Sequence, residues 1–242
     1  MTGTSMAAKP DYGIDAPGVV RGLTAGGIGG LVAAGVSLWF GVIWLGIILA
    51  VIGVVPLIEA ALMIRYARRG KFRHRDRVLG RVPWRGDEHV LDVGTGRGLL
   101  LVGAAKRLTS GHAVGIDIWS TKDLSGNAAE RTAANLAAEG VAGRCELVTG
   151  PAQRMEFADG TFDAAVSNLC LHNIRGATER ARACAEIARV LKPGGVAVIS
   201  DLFFTRFYAA QFRAAGLSVR IEGPYVLGVF PPQNIVVARK PG

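Results

Sequence analysis

The apolar and polar positions divide the chain into two stretches that follow different rules. From Gly22 to Ile64, 43 residues run with Glu59 as their single ionisable side chain and no polar stripe at helical spacing. One helix of that length would reach about 64 Å, roughly twice the hydrocarbon thickness of a bilayer. Two spans joined at Phe40-Gly41-Val42 fit better. Trp39 and Trp44 flank this turn, and indole rings favour the membrane–water boundary. The apolar turn also leaves a shallow re-entrant hairpin open. A signal peptide would have a much shorter apolar core, and a soluble hairpin would carry polar outer faces. Pro56 should kink the second span, with Glu59 about one turn further on. There the carboxylate either reaches the interface or serves a function within the membrane.

Beyond Pro83 the pattern changes to short apolar runs separated by helical stretches. Strands are predicted at His89–Val93, Ala113–Ile118, Cys145–Thr149, Phe162–Ser167, Val196–Ser200, Leu217–Ile221 and Ile235–Ala238. Helices are predicted at Leu99–Leu108, Asn127–Glu139, Glu179–Leu191 and Thr205–Ala215. This alternation predicts an α/β domain, a doubly wound and mostly parallel seven-stranded sheet preceded by the helical hairpin. No helix separates the last two strands, so they should pair antiparallel at one edge.

Composition sharpens this division. The mean hydropathy of +0.32 and the 50% hydrophobic content exclude a disordered chain. The formal charge of +9 is concentrated in Arg65–Arg81, where eight Lys/Arg meet a single acid, Asp76. Basic residues beside a span stay cytoplasmic, which puts the chain in the cell membrane as a multi-pass protein with a cytoplasmic domain. Membrane lipids are the expected partners of these arginines, at about 1 kcal/mol per residue, and nucleic acid is not. The organisation expected is a cytoplasmic tail (1–21), a two-helix transmembrane hairpin (22–64), a basic juxtamembrane linker (65–82) and the α/β domain (83–242). Gly22, Gly26, Gly30 and Ala34 recur every four residues. Such a small-residue ridge can seat the second span or a second copy of the chain in a homo-oligomer. Cys145, Cys170 and Cys184 form no C-x-x-C pair, so neither a disulfide framework nor a metal site is expected.

Chemistry concentrates in Val90-Leu-Asp-Val-Gly-Thr-Gly-Arg-Gly-Leu-Leu100. A strand ends, glycine-rich backbone turns, and a helix starts with free N–H groups. A dinucleotide loop would place its third glycine where Leu99 stands, which disfavours a nicotinamide-dependent reductase. Instead Asp92, Gly94, Gly96 and Gly98 alternate with single residues. This arrangement resembles motif I of the class I S-adenosylmethionine-dependent methyltransferases, of the type 11-like kind, and the resemblance extends over about residues 83–240. It implies a Rossmann-like sheet with S-adenosyl-L-methionine as cofactor. It also implies cofactor contacts from Asp92, Gly94, Thr95, Gly96 and Gly98, ribose hydroxyls on Asp117, and adenine against Ile118. Gly150–Asp163 is similar to the family's adenine loop, and Asn168 would lie near the sulfonium. Leu191-Lys-Pro-Gly-Gly195 matches the turn before the fifth strand. Pro151 stands where the family commonly has an acid, which shifts adenine recognition to Ala152 and Gln153.

His172, following the fourth strand, is the candidate base, and packing at the start of a loop explains it equally well. Asp201 would orient a substrate or cap the next segment. Cys170 has no base at a recognisable spacing. Tyr12 and the Asp11–Asp15 tail could fold over the site. The expected activity is methyl transfer to a small-molecule or lipid acceptor, with a non-catalytic, membrane-tethered scaffold as the alternative.

Overall fold

Both apolar stretches are helical in the computed structural model, which describes residues 9–242. The first eight residues of the expected tail lie outside the described residues. Helix α1 (Pro17–Trp39) opens with proline in its first turn, and α2 (Ile43–Arg65) holds Pro56 inside it. Both are 23 residues long, about 34 Å each, and both are long and apolar enough to cross a membrane. They turn at Gly41, whose φ is 77°.

The interface between the two helices uses Val20, Gly27 and Ala34 of α1 against Gly46, Gly53 and Ala60 of α2. A β-carbon on Gly53 would stand 2.7 Å from Leu31 N and 2.9 Å from Gly27 O, so only glycine admits this approach. The four-residue ridge expected on α1 is used only in part. Gly30 and Ala34 lie at the contact, whereas Gly22 and Gly26 are exposed with nothing near them. A four-residue step drifts around a helix, while the seven-residue step of the buried positions nearly stays on one face.

The basic segment 65–82, expected as a linker, is mostly helical. A π turn (Tyr66–Gly70) carries α2 into α3 (Lys71–Leu79), whose Val78 and Leu79 are fully buried in the domain core. Its cations divide into two groups. Lys71 is buried, Arg75 pairs with Asp76 at 2.9 Å and Arg81 with Glu222 at 2.7 Å, and Arg77 lies 4.5 Å from the Tyr225 ring centroid. Arg65, Arg68, Arg69 and Arg73 remain exposed.

The sheet has the strands β1 (His89–Val93), β2 (His112–Asp117), β3 (Cys145–Thr149), β4 (Phe162–Asn168), β5 (Leu191–Asp201), β6 (Ser218–Tyr225) and β7 (Gln233–Arg239). Their order is β3-β2-β1-β4-β5-β7-β6, parallel from β3 to β5 and antiparallel where β7 joins β5 and β6. Helices α4 (Leu99–Ala105), α5 (Ala129–Ala138), α6 (Ala177–Val190) and α7 (Thr205–Ala214) complete the domain. Alternate strand residues enter two cores. Leu91, Phe162 and Ile199 pack with Ile187, Tyr208 and Phe212, whereas Val90, Val166 and Val198 pack with Val78, Leu101 and Leu108. Coverage of both faces accounts for strands that are apolar throughout. Strand order reverses between β1 and β4, and that crevice is where ligands bind in such sheets.

Candidate active site

The glycine loop leaves β1 at this crevice. Gly94 N and Thr95 N both donate to Ile116 O, at 2.8 and 3.1 Å, which folds the loop back over β2. Gly94 has φ 72°, and a β-carbon there would meet Cys170 Sγ at 2.1 Å. Both facts exclude a side chain. Beneath the loop Asp92 accepts from Thr95 Oγ1 (2.8 Å) and Leu101 N (2.9 Å). It is 1% exposed, and burial pushes its carboxyl up to about 7. Asp92 therefore braces the loop from inside.

Asp117, at the end of β2, accepts from Gly96 N (2.8 Å), Trp119 N (2.6 Å) and Asn127 Nδ2 (3.2 Å). These bonds fix its carboxylate at the mouth of a cavity of about 1170 Å³. Asp92, Gly94, Thr95, Gly96, Asp117, Ile118, Ala152, Gln153, Asn168 and His172 all line this cavity. Gly98 does not line it. It caps α4 with φ 81°, its N–H donating to Thr95 O. Ile118 is 64% exposed, an apolar face left open beside a polar carboxylate. Asn127 Oδ1 and Asn168 Oδ1 are buried without a partner among the described residues, and both residues line the cavity. Buried polar atoms are normally satisfied, so a polar ligand would find partners in these two. An adenosyl group with ribose hydroxyls and an amino-acid tail would fit this set, with Asp117 and Asn127 placed to hold the ribose. Ile118, Ala152 and Gln153 would face the adenine, and Asn168 the sulfonium end.

Opposite the loop, His172 Nδ1 stands 2.6 Å from Asp201 Oδ1. Asp201 is fully buried and also accepts from His172 N, Leu202 N and Tyr208 Oη. With its acceptor sites in use it can only receive, so His172 Nδ1 carries the proton of that bond. Asp201 bonds the segment that follows through Leu202 N and Tyr208 Oη, and it also holds His172, a partner neither reading had named. Cys170 is no competitor, because burial holds its thiol above its ordinary value.

The N-terminal segment closes one side of the cavity. Asp11 N donates to Asn135 Oδ1 (2.9 Å), Ile14 N to Ser125 Oγ (3.0 Å) and Ala16 N to Asp123 O (2.9 Å). Lys71 Nζ donates to Tyr12 O (2.8 Å) and Gly13 O (2.7 Å), and Arg97 pairs with Asp11 at 2.5 Å. Sequence reasoning missed Lys71, Arg97 and Asn127. The first two grip backbone atoms far along the chain, and such contacts leave no pattern of residue types.

A switch-point crevice, a glycine loop and an acid ending the second strand define a nucleotide-type ligand site on a doubly wound sheet. The comparisons identify its kind. Residues 91–199 match the family model described as a methyltransferase domain. The ubiquinone/menaquinone biosynthesis C-methyltransferase of Geotalea daltonii is 35% identical over 119 residues, 49% of this chain and 47% of that protein. The sterol 4-C-methyltransferase of Caenorhabditis elegans is 32% identical over 120 residues, 50% of this chain and 33% of that one. The chain thus spans half or less of the length of these two relatives. An S-adenosylmethionine-dependent methyltransferase from Aquifex aeolicus superposes with TM-score 0.55 at 19% identity, covering 68% of this chain and 88% of that one. Residues 91–199 are thus similar to a methyltransferase domain, on a fold shared with an S-adenosylmethionine-dependent methyltransferase.

Proposed function

We propose that the protein is a membrane-anchored methyltransferase that modifies a hydrophobic or lipid-like acceptor at the cytoplasmic surface. The observation that carries this reading is the extent of the cavity. Its lining includes the glycine loop and His172 together with Val19 near the start of α1 and Met63 near the end of α2. An acceptor dissolved in the bilayer would meet the site at the helix ends. The hairpin confines the domain there and raises the effective acceptor concentration. The exposed Arg65, Arg68, Arg69 and Arg73 follow the second span and support a cytoplasmic domain. Relatives named for quinone and sterol methylation agree with an apolar acceptor.

S-adenosylmethionine supplies an electrophilic methyl group when bound. The chain's own residues do the rest. Asp117 and Asn127 fix the ribose, and the 11–16 segment screens the site from water. His172 Nε2 accepts a proton from the acceptor as the new bond forms, while Asp201 holds the imidazole in place.

The test is transfer of labelled methyl from S-adenosylmethionine into lipids extracted from the source membrane, using the full chain. Truncation at Val82 would strip Val78 and Leu79 from the core. Label should enter the organic phase, and His172→Ala should lower turnover about 10²–10⁴-fold at unchanged cofactor affinity. Cofactor binding without any transfer to the lipid extract would defeat the proposal.

A further inference from the structure

The membrane end of the cavity contains a polar group that neither the cofactor nor the base requires. Tyr66 opens the π turn where α2 leaves the apolar stretch, and π turns inside helices often mark functional positions. It is 4% exposed, and it lines the cavity together with Asn168, Val19 and Met63. A chain of buried polar side chains holds it there. Gln233 Nε2 donates to the Tyr66 oxygen at 3.0 Å, Ser200 Oγ donates to Gln233 Oε1 at 2.9 Å, and His74 Nε2 stands 2.6 Å from Ser200 Oγ. His74, Ser200 and Gln233 are each 1% exposed or less. The network therefore ties the end of α2 to β5 and β7, the strands beside the site.

Gln233 donates to the Tyr66 oxygen, and the Asn168 side chain is its other polar neighbour. Asn168 Oδ1 is buried without a hydrogen-bond partner among the described residues, so the Tyr66–Asn168 pair offers polar contacts to a ligand oxygen in the cavity. Burial, reinforced by the Asp15 carboxylate, keeps the phenol above its ordinary pKa, so it stays a donor. A buried donor fixed in place, with an unpaired acceptor beside it and apolar walls on the bilayer side, is how a protein grips the polar head of an amphiphile.

We propose that Tyr66 is the acceptor-recognition residue: its hydroxyl donates to a hydroxyl or carbonyl oxygen on the acceptor's head, whose apolar tail passes between Val19 and Met63 into the bilayer. This rests on the methyltransferase reading above and adds to it the class of acceptor, an oxygen-bearing ring or head carrying a long apolar tail. The network also explains why the anchor and the site are one body: the residue that reads the head sits on the continuation of the second apolar helix.

The experiment uses the full chain in nanodiscs of phosphatidylcholine and phosphatidylglycerol, saturated with S-adenosylhomocysteine. Two probes are titrated, dihydroxynaphthalene bare and dihydroxynaphthalene carrying an isoprenoid tail, with calorimetry as the readout. The tailed probe should bind about tenfold or more tightly than the bare one. Tyr66→Phe keeps the ring and removes the donor, and should weaken both probes by roughly tenfold. Met63→Trp narrows the tail path and should weaken only the tailed probe. S-adenosylhomocysteine affinity should stay the same in both variants, which shows that they are folded. Equal affinity of the two probes, or Tyr66→Phe binding both as the unaltered chain does, would overturn the proposal. Failure of the underlying reading appears separately, as an unaltered chain that does not bind S-adenosylhomocysteine at all.

Discussion

In the helical hairpin the buried side is made of Val20, Gly27, Ala34, Ser37, Gly46, Gly53 and Ala60, small residues but for Val20, while Val32, Ile43, Ile47 and Val51 are exposed. In the sheet domain the buried side is Leu91, Phe162, Ile187, Ile199 and Phe212, and the exposed side carries most of the charge. Both regions are well packed, yet they sort residues in opposite directions. Water drives large apolar side chains inward and leaves polar ones outside. Lipid gives no such drive between helices, so small residues meet at close backbone approach and large apolar ones face the solvent. This inversion is the pattern the proposed membrane hairpin calls for, and it supplies the sharpest mutational contrasts.

The largest effect should come from truncating the same kind of residue on the two sides of that contrast. Phe212→Ala empties a fully buried site beneath the sheet and should cost about 3–5 kcal/mol. Ile47→Ala removes a side chain that is 59% exposed and should stay within about 0.5 kcal/mol in detergent. Urea titration of the solubilised chain compares them. Similar losses would mean that α2 packs against something in the protein, and the comparison would fail.

Within the hairpin the small residues should matter most. Gly53→Val places a branched side chain against Leu31 N and Gly27 O and should cost about 1–3 kcal/mol through overpacking. Gly22→Val, on the open face of α1, should leave the melting temperature in detergent nearly unchanged. The reverse ranking would restore the four-residue ridge as the working contact, with another copy of the chain as its partner.

How far the sequence revealed each region follows from the same physics. β1 and β3 begin and end at the residues read from the apolar pattern; β1 is buried over its last four residues, whereas β3, at the sheet edge, is only partly covered. β5 begins at Leu191, five residues earlier than Val196, since Pro193 and the two glycines after it read as a turn while Leu191 already pairs with Phe162. His172 was legible as a residue following β4 and Asp201 as the end of β5. Their pairing was not, because 29 residues and a helix separate them. The hairpin turn at Gly41 was legible from composition alone. Which glycines touch was not, since every face of α1 carries small residues and only the partner helix selects among them.

A carboxylate provides a third test, smaller and dependent on pH. Asp92 is pushed up to about 7 by burial, so between the ordinary carboxylate range and about pH 7 the folded state holds a proton that the unfolded state has lost. The folded state binds more protons there, and stability contributed by this group must fall as pH rises through the window, on the order of 1 kcal/mol per unit. Asp92→Asn keeps an oxygen for Thr95 and Leu101 and cannot titrate. Melts of the cofactor-free chain at several pH values should show the difference, variant minus original, rising from about pH 5 to pH 7. A flat difference would mean that Asp92 is ionised in the folded loop.

The smallest effects belong at the boundary between the two regions, where the basic segment divides. Arg68 and Arg69 are exposed on the π turn directly below α2, where anionic headgroups would lie. Each should contribute about 1 kcal/mol of preference for such lipids, screened as salt shortens the Debye length from about 8 Å at 0.15 M to about 3 Å at 1 M. Arg75 belongs to the same run but bonds Asp76, and its side chain is only 17% exposed. The selectivity of the reconstituted chain for spin-labelled phosphatidylglycerol over phosphatidylcholine reads the difference. Arg68→Ser with Arg69→Ser should lower that selectivity and most of its salt dependence, whereas Arg75→Ser should leave both nearly intact. If Arg75→Ser acts as strongly as either of the others, charge alone sets the attraction, and the division of the segment into domain-facing and lipid-facing cations has no consequence for binding.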